Sequence, residues 1–347
     1  MKIKYSLLVL LGILLTLSSC KSDDDDGTTN PGGEEIPRDE QQVIDNDSLL
    51  GYLESHYYNS DDILNLINPS ISDIIITKLE EGEVVPSGHT LLKDAVGEAK
   101  ETVFAETNYE YYVLNIKQGE GDDSPNFTDL VRLNYQGFLL DKDINNVNDS
   151  FDSTVNPVDF DLISLVRGWA LVIPEFNVAD GFIDNGDGTI SYNNPGIGIM
   201  FLPSGLGYYS IPQGSIPPYS PLIFKFELFQ TKINDHDLDG IPSFVEDLDG
   251  NLDVADDDTD EDTFGNFIDP DDDGDGVLTR NELEPKEYVI NIGEPDPVFG
   301  AKEFEVSRSE DENTGKITIN TVTIVDADNN GIDDYLDADV TTNYNEG

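Results

Sequence analysis

A single cysteine, Cys20, and three histidines stand in this 347-residue chain. One cysteine excludes an intrachain disulfide. None of His56, His89 and His236 has a Cys or His neighbour at zinc-ligand spacing. Basic residues are equally scarce: 18 Lys and Arg stand against 72 Asp and Glu, a formal net charge of −54. A surface of that sign repels phosphate backbones, which excludes nucleic acid as a partner. It favours cations instead, calcium above all where carboxylates are suitably spaced. No apolar run approaches the roughly 20 residues that a membrane-spanning helix needs. What is present suffices for a core: 37% of residues are hydrophobic, with 15 Tyr and 16 Phe, enough for one or two domains plus linkers.

Lys2 and Lys4 precede the apolar run Tyr5–Leu17, which ends in Leu17-Ser18-Ser19-Cys20. A basic start, a short apolar stretch and small residues predict a secretory signal over residues 1–19. The four closing residues resemble a bacterial lipobox, which implies that Cys20 is lipidated, becomes the mature N-terminus and anchors the chain to a membrane. Lys21, the acidic run Asp23–Asp26 and a Gly/Thr/Pro/Glu-rich stretch follow. Low hydropathy and like charges predict an extended tether over residues 20–40. A Lys and acidic residues after such a cysteine also resemble the export tag of surface lipoproteins in some Gram-negative bacteria. The expected location is therefore the outer membrane, lipid-anchored and facing the cell surface, with the periplasmic face as the alternative.

Residues 41–107 predict a helical, α+β extension. Val43, Leu50, Leu53 and Tyr57 recur at helix-compatible spacing over 41–58, and short apolar runs such as Ile74-Ile75-Ile76 follow. Residues 108–230 turn to strand patterns bounded by Gly, Pro, Asn and Asp: Tyr111–Ile116, Val131–Tyr135, Ile197–Leu202 and Leu222–Phe229. The last of these predicts a strand with one well-buried face. Between 231 and 284, Lys232 and Arg280 are the only Lys or Arg among many carboxylates. Alternation in Ile317–Val322 predicts a small β segment within 285–347, followed by one more Asp-rich loop.

Within 108–230 an ordered set of segments stands out: Val131-Arg132-Leu133-Asn134-Tyr135-Gln136-Gly137, Phe151-Asp152-Ser153-Thr154, Leu165-Val166-Arg167-Gly168-Trp169, Leu202-Pro203-Ser204-Gly205-Leu206-Gly207-Tyr208, and Ile216-Pro217-Pro218 before Leu222-Ile223-Phe224. In this order they resemble FKBP-type peptidyl-prolyl cis/trans isomerases. The resemblance implies an α+β fold, with a curved antiparallel sheet wrapped around one short helix. It implies a pocket lined by Tyr135, Phe151, Val166, Trp169, Tyr208, Ile216 and Phe224, with Trp169 as floor. Asp152 would orient a pocket group, Tyr208 would donate to substrate, and the Val166 N–H would bind a second carbonyl. The chain departs from the family at Val158, where an aromatic is usual, and at Ser215, where an aliphatic is. It also has a shortened turn before Val166 and insertions at about 141–150 and 177–196.

Calcium takes six to eight oxygen ligands, and a loop with acidic residues at positions 1, 3 and 5, Gly at 6 and a carboxylate at 12 supplies them. Asp271, Asp273, Asp275, Gly276 and Glu282 fit that register, as do Asp235, Asp237, Asp239, Gly240 and Glu246. Asp326, Asp328, Asn330, Gly331 and Asp337 fit it with the shorter Asp at the end. Asp258, Asp260, Asp262 and Asp269 keep the carboxylates but have Thr263 where glycine belongs, a weaker match. The array resembles thrombospondin type 3 repeats, which fold around calcium. The resulting expectation is an isomerase acting on X-Pro bonds of exported or surface polypeptides, with a folding-chaperone role and structural calcium in an irregular tail. Catalysis should need no cofactor, and chelation should loosen the tail while leaving it nearly intact. The alternatives are a catalytically silent peptide-binding module and a calcium-dependent surface interaction lipoprotein.

Overall fold

The computed structural model describes residues 35–345. The signal segment, Cys20 and most of the tether lie outside the described residues. Among the described residues no helix is long and apolar enough to cross a membrane. The fold is α+β, built from antiparallel sheets with few helices.

Helix α1 spans Arg38–Ser55, starting after Pro37 with Asp39 and Glu40 in its first turn, where acidic groups complement the helix dipole. It therefore starts earlier than the apolar spacing predicted and stops before Tyr57, which lies in strand β1 (His56–Tyr58). Its buried face is Gln41, Gln42, Asp45, Leu49, Tyr52 and Leu53, whereas Val43 is 61% exposed. Polar side chains with fixed partners occupy part of the buried stripe, so apolar periodicity alone misplaces it. Helix α2 (Ser60–Leu64), β2 (Ile76–Lys78), β3 (Thr90–Leu91) and α3 (Leu92–Val96) complete the extension, in which the short strands pair as β2-β1-β3.

The main sheet comprises β4 (Lys100–Phe104), β5 (Thr107–Lys117), β6 (Leu130–Leu139), β7 (Asp152–Ser153) and β8 (Val158–Asp161). After helix α4 (Arg167–Val172) and a hairpin of β9 (Gly181–Asp184) and β10 (Ile190–Asn193) come β11 (Gly196–Leu202) and β12 (Leu222–Lys232). The order is β4-β5-β11-β12-β6-β7, with β8 also on β6. The 177–196 insertion thus forms its own hairpin. In the other insertion, Asn145 clasps the Ile76 backbone, accepting from its N–H at 2.9 Å and donating to its carbonyl at 2.7 Å.

Alternation along the strands sends side chains to two separate cores. Leu222, Phe224, Phe226 and Leu228 of β12 face α4, together with Tyr135, Met200, Trp169 and Val172. Ile223 of β12, with Phe201, Leu114 and Phe138, faces α1 and the extension, including Leu49, Leu53 and Ile74. Strand β12 is therefore buried on both faces for most of its length, not on one. Even Lys225 and Glu227 are covered: the Lys225 ammonium donates to the Ile74 carbonyl at 2.9 Å, and Glu227 accepts from the Ile71 N–H at 2.8 Å.

The tail runs from the Asp-rich loops into β13 (Glu284–Asn291), β14 (Glu303–Asp311) and β15 (Lys316–Thr323), paired as β13-β15-β14. Ile241, Leu283, Ile324 and Tyr335 form a small core that ties the first loop, the loop before β13 and the last loop together.

Candidate functional site: an aromatic cavity and an acidic loop array

Strands β6, β7, β8 and β12 and the start of α4 surround a cavity of about 310 Å³ lined by Tyr135, Phe151, Asp152, Phe160, Ser164, Leu165, Val166, Trp169, Tyr208 and Phe224. Trp169 lies at its base, 3% exposed, with its ring centroid 5.0 Å from Phe224 and 5.6 Å from Tyr135. Phe151 meets Phe224 edge-on at 5.5 Å, a geometry that aromatic quadrupoles favour. Gly137 makes this approach possible: a Cβ there would fall 2.5 Å from Phe151 Cζ. The Tyr135 hydroxyl donates to Asp152, and burial together with that carboxylate raises the Tyr135 phenol above its ordinary pKa. The hydroxyl therefore stays protonated, a donor to Asp152.

The structure brings together all but one of the sequence-predicted pocket residues. Ile216 instead lies buried in the inner core and is not among the cavity-lining side chains. Phe160, Ser164 and Leu165 line the cavity and were not foreseen. Phe160 stands two positions after Val158, on the same face of β8, and its ring sits 5.6 Å from Tyr135. The aromatic absent at Val158 is thus supplied one pleat further on, a substitution legible in the alternation of Val158-Asp159-Phe160-Asp161.

The Pro203–Tyr208 segment is held from behind by α1. Asp45, 1% exposed, accepts from the Ser204 N–H at 2.7 Å and hydroxyl at 2.6 Å and from Gln41 at 2.7 Å. Arg38 donates to the Tyr109 hydroxyl at 3.0 Å and to the Gly205 carbonyl at 3.3 Å.

The chain is similar to FKBP-type isomerases. FK506-binding protein 1B of Aspergillus fumigatus is 28% identical over 130 residues, covering 36% of this chain and 94% of the relative. Among solved structures, a peptidyl-prolyl cis-trans isomerase from Pseudomonas syringae pv. tomato matches with a TM-score of 0.32 and 16% identity, over 58% of this chain and 99% of that one. FkpA from Escherichia coli matches with a TM-score of 0.28 and 24% identity, over 35% of this chain and 48% of that one. Residues 236–314 match the model of the BamM C-terminal family, a span that crosses both the acidic loops and the first strands of the tail sheet.

The acidic loops repeat one backbone conformation. Position 6 has positive φ at Gly240, Thr263, Gly276 and Gly331, between 89° and 108°. Position 4 has positive φ at Leu238, Glu261, Gly274 and Asn329. Thr263, the reason that loop is the weaker match in sequence, therefore adopts the glycine-type geometry. A further loop shares the pattern: Asp247, Asp249 and Asn251, with positive φ at Gly250 and Leu252. It is faint in the sequence because Asn251 replaces the third Asp and the bulky Leu252 stands where glycine belongs.

Among the described residues carboxylates converge in four clusters: Asp237, Asp239, Glu246 and Asp272; Asp247, Asp249 and Asp257; Asp258, Asp260 and Asp262; and Asp271, Asp273 and Asp275. Asp272 joins the first cluster from a distant loop, because alternation along Asp271-Asp272-Asp273 points the middle side chain the other way. Asp235 is outside that convergence and accepts from the Leu238 and Gly240 N–H groups at 2.8 and 3.1 Å. Glu282 is 1% exposed beside the last cluster, its carboxyl pushed up to about 9 by burial and by Asp273, Asp275 and Asp271. Both oxygens of Glu246, Asp272 and Glu282 are buried without a partner. Around Asp326 and Asp328 no three carboxylates converge among the described residues; Asn330 takes that place and donates to Asp337 at 2.6 Å. Unpaired buried carboxylates cost several kcal/mol each. A hard divalent cation taking oxygen ligands would offset that cost in the three clusters that hold such oxygens, those of Glu246, Asp257 and Asp273.

Proposed function

We propose that this protein is a prolyl isomerase of exported polypeptides, carried on a lipid anchor and ending in a calcium-folded tail. The observation that carries the reading is the aromatic cavity floored by Trp169, together with the sequence similarity to an FK506-binding protein. Rotation about a peptide bond faces a barrier of about 18–20 kcal/mol because the bond has partial double-bond character. For X-Pro the two isomers are close in energy yet exchange slowly. A twisted imide has lost resonance and part of its dipole, so a dry aromatic cavity favours it over the planar form. Tyr135, Phe151, Trp169 and Phe224 would grip the proline ring, which orders the substrate. Tyr208, at the cavity wall, would donate to a substrate carbonyl, and the Val166 N–H to another, stabilising the twisted state. Asp152 would act through Tyr135, whose hydroxyl it accepts. No nucleophile is needed.

A protease-coupled proline-isomerisation assay tests this. Phe151→Ala should lose most activity, and Trp169→Leu only part, because an aliphatic floor still excludes water. Full activity in Phe151→Ala beside an active wild type would remove the pocket assignment. A wild type that binds proline-containing peptides without accelerating exchange would support the peptide-binding alternative instead.

The tail would fold around calcium at Asp235, Asp237, Asp239 and Glu246 with Asp272, at Asp271, Asp273, Asp275 and Glu282, and at the Asp326–Asp337 loop, since binding free energy there becomes folding free energy. Calorimetric titration finding no uptake at millimolar calcium would leave only an acidic linker. Cys20 would anchor the chain in the outer membrane with its domains at the cell surface. Cys20→Ala should free it from membranes, and retention in the outer membrane would refute the anchor.

A further inference from the structure

Arg167 opens α4, next to Val166 and two residues before Trp169, so whatever holds its guanidinium helps to position the cavity's base. Its partners lie in the acidic tail. One guanidinium nitrogen donates to the Asn251 carbonyl at 2.7 Å, and another donates to the Leu252 carbonyl. Phe104 stacks against the group at 5.3 Å, and Asp253, Asp247 and Asp256 exert the charge it feels. Leu252 packs on the inner core, and Val254 is buried with Phe127 and Ala170 of α4. The 247–258 loop is therefore the tail's point of attachment to the helix that carries Trp169.

The same loop bears marks of a cation site. Ligand oxygens of Asp247, Asp249 and Asp257 lie within 4.8 Å of one another. Asp257 is 9% exposed, and its Oδ2 is buried with no hydrogen-bond partner. Asp247 accepts from the N–H groups of both Asn251 and Leu252, at 3.0 Å each. The backbone that presents two carbonyls to Arg167 is thus wound around the carboxylates of the cluster.

We propose that Asp247, Asp249 and Asp257 form a calcium site of their own, and that cation binding there sets the position of α4 through Arg167, making the cavity calcium-responsive. When the cation is bound, it neutralises the carboxylates and fixes the loop, leaving the two carbonyls to hold the guanidinium. When it leaves, the mutually repelling carboxylates open the loop and compete directly for Arg167. This revises the expectation that chelation spares catalysis. The functional part of the inference rests on the isomerase reading; the binding and helix-coupling parts do not.

Trp169 is the only tryptophan in the chain, so tryptophan emission reports on the base of the cavity, where α4 meets Tyr135 and Phe224. In the full-length protein, calcium titration should shift that emission, and calorimetry should count one fewer calcium equivalent in Asp249→Asn than in wild type. Asp249 is exposed, so this variant keeps its fold; Asp257→Asn should repeat the result from the buried side. Arg167→Met should keep the calcium equivalents but lose the emission shift. Chelation should reduce isomerase activity several-fold in wild type and much less in Arg167→Met. Equal calcium equivalents in wild type and Asp249→Asn, or a wild-type Trp169 emission indifferent to calcium, overturns the proposal. An emission shift in a protein with no isomerase activity at any calcium level would instead refute the isomerase reading and leave the coupled site standing.

Discussion

Asp152→Ala removes the acceptor that holds the Tyr135 hydroxyl. A hydrogen bond to a charged group contributes about 1.5–3 kcal/mol, but Asp152 is exposed at the cavity rim, so water replaces much of what the fold loses. Folding stability should therefore drop by about 1 kcal/mol or less. Catalysis should suffer more. The Tyr135 ring sits between Phe160 and Trp169, each 5.6 Å away, and the carboxylate sets its remaining freedom. A loss of about 1.4 kcal/mol of transition-state stabilisation would lower kcat/KM about ten-fold. Tyr135→Phe, which removes the hydroxyl and keeps the ring, should cost a similar factor. If Asp152 acts only through that hydroxyl, the double variant should be no worse than either single one, so the coupling energy should match the single effect. Protease-coupled isomerisation measures the rates, and urea unfolding the stabilities. Additive losses would mean that Asp152 touches the substrate by itself. Unchanged activity in Asp152→Ala would leave the pair without a role.

Asp45→Ala should lower stability by about 3 kcal/mol, because it strands the buried Ser204 donors, with a urea midpoint as the readout. Burial raises the Asp45 carboxyl above its ordinary value, so the folded state holds that proton more tightly than the unfolded one. Its contribution is present below the ordinary carboxylate pKa and is lost as pH rises through the raised one; Asp45→Asn should flatten that part of the stability profile, and an identical profile would contradict the assignment. Thr263→Gly should raise the thermal midpoint of the calcium-loaded protein, since a β-branched residue at φ 89° is strained by about 1–2 kcal/mol and glycine returns only part of that in chain entropy; a lower midpoint would show that the Thr263 side chain supports the loop.

The cavity was readable because the resemblance to FKBP-type isomerases specifies particular side chains in a particular chain order. Tyr135, Phe151, Asp152, Trp169, Tyr208 and Phe224 all come together around it. Phe160 escaped because one pleat of displacement moves an aromatic without changing its face. The boundaries of α1 escaped because its buried stripe includes Gln41, Gln42 and Asp45: Gln42 and Asp45 find partners remote in sequence, Glu110 and Ser204, and Gln41 bonds to Asp45. The acidic loops were legible wherever glycine marks the positive φ. Leu252 adopts that conformation without being glycine, and with Asn251 in place of the third Asp its loop departs from the register at two adjacent positions. Asp272 was hidden for another reason: membership of a cluster across loops depends on tertiary packing, which spacing within one loop does not encode.

The segment that resembles an isomerase in sequence is smaller than the piece that can stand alone. Cutting the chain at residue 108 would strip β4, β5's own partner, from the sheet edge. It would also bare Phe138, Ile199, Phe201 and Ile223 to water, and leave Lys225 without its acceptor, the Ile74 carbonyl, and Glu227 without its donor, the Ile71 N–H. Such a fragment carries an apolar sheet face ready to pair with its own copies. A fragment of residues 108–230 should therefore go to the insoluble fraction, while residues 36–345 stay soluble. Recognition by motif marks out the aromatic cavity of this protein; its smallest foldable unit is drawn by the far side of the sheet.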